Sequence, residues 1–154
     1  MGPNRGRWAV GEFYDVALRE AQKSMAEGGI PIGAALVSGT SVLGSGHNLR
    51  VQEGDPTAHA EISCLRNAGR TRDYADCTLY TTLTPCHLCT GAILLFGIPR
   101  VVIGETTTFD GEGTLELLRS HSVDVQILDD QRARDLMKTF IAEQPHLWAE
   151  DIGK

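Results

Sequence analysis

The strongest constraint on the fold is the alternation of helix-like and strand-like runs along the 154-residue chain. Apolar residues recur at helical spacing from about Glu12 to Glu27, and Gly28 and Gly29 end that helix. Ile32 to Val37 and Ser41 to Asn48 read as two strands that a short turn joins. The chain therefore opens with a helix followed by an antiparallel hairpin.

The later runs continue the alternation in the order helix, strand, helix, strand, helix, strand, helix. Their expected ranges are 57–67, Cys77–Leu83, Pro85–Gly97, Arg100–Gly104, Gly113–Ser120, Val123–Leu128 and 130–143. This order predicts an α/β fold, a three-layer α/β/α sandwich with a central mixed five-stranded sheet. Because the chain has no repeat and no linker-like tract, we expect a single domain over residues 1–154.

Composition and charge narrow the classes of partner. Hydrophobic residues make up 42% and charged residues 22% of the chain, as in ordinary globular proteins. No apolar stretch is long enough to span a membrane, and no secretory signal is evident, so we expect a cytoplasmic protein without a membrane partner. The net charge is -6 and the basic residues are scattered, which argues against nucleic acid and favours a small-molecule substrate.

Two short motifs carry the chemistry: His59-Ala60-Glu61 and, 24 residues later, Pro85-Cys86-His87-Leu88-Cys89. Zinc prefers tetrahedral nitrogen and sulfur ligands, and its catalytic sites use three of them and leave one position for water. Cys86 and Cys89 are three residues apart on a predicted helix, so both thiolates fall on one face near its N-terminus. His59 opens the preceding helix and can supply the third ligand, with Glu61 beside the open position.

The combination of motifs is more specific than either part. A lone Cys-x-x-Cys could be redox-active, structural or part of a core. Together, the two motifs form the signature of zinc-dependent nucleobase deaminases, in which the glutamate moves protons and does not bind the metal. A purely structural zinc site would need a fourth ligand that the neighbouring sequence does not offer. Cys64 and Cys77 lie in apolar surroundings and are expected in the core.

At these residues the chain closely resembles the fungal-type cytosine deaminases of the cytidine deaminase-like superfamily. The resemblance covers nearly the whole chain, and its supporting runs are 27–33, 44–48, 78–82, 89–93, 97–100 and 148–153. The chain departs from the fungal pattern at Ala58 and Ala60 beside the histidine, and at His87 and Leu88 between the cysteines. Neither departure falls on a position with a catalytic or binding role.

The resemblance implies a role for each site residue. His59, Cys86 and Cys89 bind one zinc ion per subunit, and Glu61 is the catalytic proton shuttle. The implied substrate-binding residues are Asn48 on the pyrimidine carbonyl, Asp151 on the exocyclic amine, and Ile32, Phe109, Trp148 and Ile152 as apolar walls. Residues 145–154 would form a C-terminal lid over the active site, and the family's homodimer would form through the helix containing 92–96.

The residues themselves leave other interpretations open. Asn48 could be a turn residue after a strand, Asp151 a solvated terminal carboxylate, Phe109 a core residue, and Trp148 a core anchor. The expected reaction is hydrolytic deamination of free cytosine to uracil and ammonia, in pyrimidine salvage. The alternatives are deamination of guanine, isocytosine or a pterin, a nucleoside or tRNA deaminase, and a non-catalytic zinc module.

Overall fold

A computed structural model describes residues 5–154 of the chain, with side chains from Val10 onward. The expectation about an N-terminal signal falls partly on residues 1–4, which lie outside the described residues. The elements are α1 (Arg5–Ala26), β1 (Gly33–Ser38), β2 (Ser41–His47), α2 (Arg50–Glu53), α3 (Ala60–Ala68), β3 (Cys77–Leu83), α4 (His87–Phe96), β4 (Arg100–Glu105), α5 (Thr114–Ser120), β5 (Asp124–Ile127), α6 (Gln131–Glu143) and α7 (Pro145–Asp151). Within the described part of the chain, every helix is too short or too polar to cross a membrane.

The five strands form one mixed sheet in the order β2-β1-β3-β4-β5. β1 pairs antiparallel with both β2 and β3, whereas β3, β4 and β5 run parallel to one another. Helices cross from one parallel strand to the next, as parallel pairing requires. The expectation of a mixed five-stranded sheet is therefore confirmed.

The two faces of the sheet bury different apolar clusters. Side chains alternate between faces along a strand. Leu79 and Val101 pack with residues of α3, α4 and α5 on one face, and Tyr80 and Val102 pack with α1 and the start of α6 on the other. Helices therefore cover both sides of the sheet, which confirms the expected three-layer sandwich.

The helices that open at the two motifs begin slightly later than expected. α3 begins at Ala60 and α4 at His87, because His59 and Cys86 have extended backbones, with ψ of 160° and 179°. These two residues are therefore the N-caps, and Pro85 precedes the helix rather than opening it.

Two short helices, α2 and α7, are not predicted from the sequence. They have 4 and 7 residues, which is too short for a helical repeat of apolar residues to be recognised.

Two glycines of β2 let α3 lie unusually close to the sheet. A Cβ on Gly44 would come within 2.6 Å of the backbone nitrogen of Ala68, and a Cβ on Gly46 within 2.6 Å of that of Cys64. The two glycines are two residues apart on the strand, and their neighbours are four residues apart on the helix, so the contacts form one seam. This seam sets the position of the helix that begins beside His59.

We predict that Gly46→Ala lowers the free energy of unfolding by about 1–3 kcal/mol, because the added methyl group forces a backbone apart in a packed layer. Gly11→Ala is the control, since Gly11 lies in α1 and a Cβ there meets no atom within 4 Å. Urea denaturation of both variants measures the effect. Equal stabilities for the two variants would contradict the close approach of α3 to β2.

Candidate active site

Three potential metal ligands converge where α3 and α4 begin. The Nδ1 atom of His59 lies 3.3 Å from the sulfur of Cys86 and 3.7 Å from the sulfur of Cys89. All three donor atoms lie within 4.8 Å of one another. Two helix starts thus bring together residues that are far apart in sequence.

The donor set fits zinc in both chemistry and spacing. A tetrahedron with ordinary zinc–sulfur and zinc–nitrogen bonds has sulfur-to-nitrogen edges of about 3.6 Å. The observed separations bracket this value. Three ligands from the protein, one nitrogen and two sulfurs, match the donor set of catalytic zinc sites, which keep a fourth position for solvent.

Hydrogen bonds among the three potential ligands shift the pKa of each one. The hydrogen bond from Cys89 lowers the pKa of Cys86 to about 4, with His59 adding a second hydrogen bond, although burial opposes both. The same Cys86 thiolate raises the pKa of Cys89 and raises that of His59 to about 9. His59 and Cys89 therefore hold protons between the three side chains, and binding of a metal ion would release these protons.

Glu61 is a buried carboxyl group that is not part of the ligand cluster. It lies in the first turn of α3, two residues after His59, and lines a cavity that His59 and Cys86 also line. Burial raises the pKa of Glu61 to about 7, and the negative charge of Cys86 adds to this effect, while a hydrogen bond from Cys89 opposes it. A carboxyl with this pKa can both accept and release a proton near neutral pH.

The cavity beside these groups has a volume of about 240 Å³. Nine of the ten sequence-predicted site residues line it, and Cys89 lies buried behind it. The nine are Ile32, Asn48, His59, Glu61, Cys86, Phe109, Trp148, Asp151 and Ile152. The structure therefore brings the whole predicted set together, from the first hairpin to the end of the chain.

Asn48 follows β2 and is held from three sides. Its backbone N–H donates to the carbonyl of Ile32 at 3.0 Å, and its carbonyl accepts from the Ser24 hydroxyl at 2.9 Å. Its side-chain Oδ1 accepts the backbone N–H of Arg50 at 3.0 Å. Because the amide oxygen is engaged in this way, the amide nitrogen is the end of the side chain left to donate.

Asp151 is the last residue of α7, and its side chain is only 6% exposed. Its Oδ1 lies 3.8 Å from Nε2 of His59, the ring nitrogen opposite the one that faces the thiols. Burial raises the pKa of Asp151, while the nearby charges of His59 and Arg50 oppose that shift. The interpretation of Asp151 as a solvated terminal carboxylate is therefore wrong.

An aromatic pair closes the apolar side of the cavity. The rings of Phe109 and Trp148 meet edge to face, with centroids 6.4 Å apart. Trp148 is buried against the core cluster and also lines the cavity. It therefore both anchors the C-terminal segment to the core and forms part of the cavity wall.

Sequence reasoning missed several residues that shape the site. Leu83, Thr84, His87, Leu88 and Glu112 also line the cavity. Beyond the wall, Glu105 is fully buried, and its carboxylate accepts the backbone N–H groups of Thr107 and Thr108 at 2.8 and 2.9 Å. It thereby fixes the loop that carries Phe109. The carboxylate between Gly104 and three threonines was the sequence signal for such a turn.

Comparison with known proteins agrees with this geometry. A family model described as the cytidine and deoxycytidylate deaminase zinc-binding region matches residues 9–105. The cytosine deaminase of Candida albicans is 52% identical over 142 residues, which cover 90% of this chain and 93% of that protein. The tRNA-specific adenosine deaminase of Haemophilus influenzae is 48% identical over 92 residues, covering 57% of this chain and 53% of that protein.

A solved structure extends the likeness to the fold. The guanine deaminase from Bacillus subtilis superposes with a TM-score of 0.60 and 32% identity, over 67% of this chain and 68% of that one. A mixed sheet with two helix starts that present one histidine and two cysteines defines a zinc-dependent deaminase. The chain belongs to the cytidine and deoxycytidylate deaminase family.

We predict that Cys86→Ala loses nearly all bound zinc, because two remaining ligands hold the ion far more weakly than three. Cys77→Ala is the matched control, since Cys77 is a free, buried cysteine in the core on β3, outside the ligand cluster. Atomic emission on protein dialysed against buffer gives the zinc content per chain. Full zinc content in Cys86→Ala would contradict the ligand assignment.

Proposed function

We propose that this protein catalyses the zinc-dependent hydrolytic deamination of free cytosine, which consumes water and yields uracil and ammonia. The observation that carries the proposal is a small cavity in which a donor amide and a buried carboxylate face the same space as Glu61. Support also comes from the 52% identity to a cytosine deaminase, which extends over 90% of this chain.

In this proposal, two residues recognise the pyrimidine ring. The side-chain nitrogen of Asn48 donates to the ring carbonyl at O2, since its oxygen already accepts from Arg50. Asp151 accepts from the amino group on C4. A buried site of this kind discriminates strongly, because a ligand without the matching group leaves polar atoms unpaired.

Glu61 moves the protons of the reaction. A zinc ion held by His59, Cys86 and Cys89 would supply a water molecule that ionises near neutral pH. Glu61 accepts a proton from that water and delivers it to ring nitrogen N3, which makes C4 more electrophilic, and the water oxygen then bonds to C4. Glu61 next carries the remaining proton of that oxygen to the amino group, so that the C4–N bond breaks, ammonia leaves and the carbonyl of uracil forms. The buried carboxyl, with its pKa of about 7, suits both directions of transfer.

We predict that Glu61→Gln keeps its zinc and loses about 10²–10⁴-fold in turnover, because glutamine is close in size but cannot accept the proton. Ammonia release, measured separately with cytosine, cytidine, guanine and isocytosine, tests the residue and the substrate together. The wild-type protein should act on cytosine in preference to the other three. Normal turnover by Glu61→Gln, or no wild-type activity on cytosine, would refute the proposal.

In this proposal the substrate is a free base rather than a nucleoside. The cavity has a volume of about 240 Å³, and residues of the C-terminal tail form part of its wall. We propose that residues 145–154 act as a lid on a single domain spanning 1–154. Trp148, Asp151 and Ile152 all line the cavity, so this tail forms part of its wall.

We predict that deletion of residues 148–154 abolishes cytosine turnover and leaves the zinc content unchanged, because the metal ligands precede the deleted segment. Zinc analysis and a thermal melt establish that the truncated chain is folded. Ile152→Ser is a milder variant, since Ile152 is a half-exposed wall residue. A folded truncated enzyme with undiminished turnover would contradict the lid.

Guanine deamination is the second candidate, favoured by the likeness to the guanine deaminase from Bacillus subtilis. The same proton transfers would act on a larger bicyclic ring. The 52% identity to a cytosine deaminase, over 90% of this chain, favours the single ring. Ammonia release from guanine exceeding that from cytosine would establish this candidate instead.

Deamination of tRNA has less support. The tRNA-specific adenosine deaminases that resemble this chain are 37–48% identical to it over the matched residues, against 52% for the cytosine deaminase. Binding to a phosphate backbone favours basic residues, whereas this chain carries a net charge of -6, with Glu112 and Glu150 exposed near the lid. A non-catalytic zinc module would leave the buried Glu61 unexplained.

We also propose that two copies of the chain form a homodimer through α4. Three apolar residues of this helix face solvent: Leu88, Leu95 and Phe96, with Leu95 78% exposed. They border a groove between α3 and α4 in which Tyr74 stacks on Phe96 at 5.5 Å. An exposed apolar surface of this kind is typical of an interface, and Leu88 connects it to the cavity wall.

We predict that Leu95→Glu converts the dimer to a monomer, because a charge would be buried in an apolar interface. Leu117→Glu is the control, since Leu117 is a partly exposed leucine on α5 that does not line the groove. Light scattering after gel filtration should give the mass of two chains for the wild type and the control. A wild-type monomer, or a dimeric Leu95→Glu variant, would contradict the interface.

We also propose a cytoplasmic setting for the reaction. The four cysteines are free, and two of them must stay reduced to bind zinc, which suits the reducing cytoplasm. There the enzyme would convert free cytosine to uracil for pyrimidine salvage.

A further inference from the structure

Arg50 contacts residues from two distant parts of the chain, Asn48 and the last turn of α7. It is the first residue of α2, immediately beyond the loop that follows β2. Its guanidinium reaches the last turn of α7, where Nη1 lies 3.4 Å from Oδ1 of Asp151 and Nη2 lies 3.5 Å from Oε1 of Glu150. These contacts join residues 101 and 100 positions apart in the chain.

The backbone of the same residue holds Asn48, the other proposed recognition residue. The N–H of Arg50 donates to Oδ1 of Asn48 at 3.0 Å. This contact fixes the orientation of the side-chain amide and leaves its nitrogen as the donor for other groups. One residue therefore contacts both side chains that recognise the ring in the proposed reaction. Its side chain acts on the carboxylate, and its backbone acts on the amide.

The contact with Asp151 differs from an ordinary surface ion pair. Glu150 is 66% exposed, and pairs with such exposed groups contribute little. Asp151 is only 6% exposed and the Arg50 side chain only 15% exposed, so their charges lie largely out of water. Removal of one partner from such a pair leaves the other charge buried and uncompensated, which is strongly unfavourable.

We propose that Arg50 is a positioning residue for substrate recognition, which holds α7 over the cavity and fixes Asp151 relative to Asn48. It touches neither the substrate nor the metal ligands and acts through the two recognition residues. This inference rests on the proposed deamination of cytosine. It adds a residue that contacts both members of the proposed recognition pair.

The test replaces Arg50 with glutamine, which keeps the backbone N–H donor and removes the guanidinium group with its charge and its contacts to α7. Arg132→Gln is the matched control, because Arg132 also pairs with two carboxylates, Asp15 at 3.1 Å and Asp130 at 3.0 Å, at the start of α6. For each variant we would measure zinc content, KM and kcat for cytosine, and hydrogen exchange of the peptide covering residues 145–154.

For Arg50→Gln we expect KM for cytosine to rise about tenfold or more, the size expected for a lost hydrogen bond to a charged group. The value of kcat should change less than KM, zinc content should stay at the wild-type level, and the 145–154 amides should exchange faster. Arg50→Lys keeps the charge without the planar fork, so its KM should fall between those of the wild type and Arg50→Gln.

An unchanged KM in Arg50→Gln would overturn the inference, as would unchanged exchange of the 145–154 peptide. The control variant should match the wild type in both measurements, and an equal effect in Arg132→Gln would also overturn it. Failure of the underlying function is distinct, because the wild-type protein would then not release ammonia from cytosine, whereas the exchange measurement needs no substrate.

Discussion

The convergence of three side chains on one point is the constraint on which the rest of the structure depends. His59 caps α3 and Cys86 caps α4, so the two helices must begin side by side. β3 lies between the two helices in sequence and at the centre of the sheet. Gly46 of β2 allows α3 to pack closely on that strand. The sheet therefore serves as the frame that holds two helix starts a few ångströms apart.

The proposed substrate-recognition residues lie in parts of the chain that are far apart in sequence. Asn48 ends the hairpin, and Asp151 ends the last helix. Arg50 and the aromatic pair of Phe109 and Trp148 bring these segments together over the metal ligands. The zinc site is thus shared with the family, whereas we propose that the C-terminal segment adapts this chain to its substrate.

Much of this architecture could be predicted from the sequence, because it depends on short-range patterns. β3 falls at the predicted Cys77–Leu83, and the two sequence motifs predicted the cluster of His59, Cys86 and Cys89. The substrate-binding set came from the family resemblance. The short helices α2 and α7 and the contacts of Glu105 and Arg50 escaped prediction, since no local periodicity encodes a pair 101 residues apart. Even the start of α4 depended on the extended backbone of Cys86.

The central claim is that two sulfurs and one imidazole hold the zinc ion and leave one position to solvent beside Glu61. X-ray absorption spectroscopy at the zinc edge tests it most directly. We expect two sulfur neighbours at about 2.3 Å and two nitrogen or oxygen neighbours at about 2.0–2.1 Å, only one of them with imidazole scattering. Three or four sulfur neighbours, or a second imidazole, would mean that protein atoms enclose the ion, and a catalytic role for zinc beside Glu61 would be wrong.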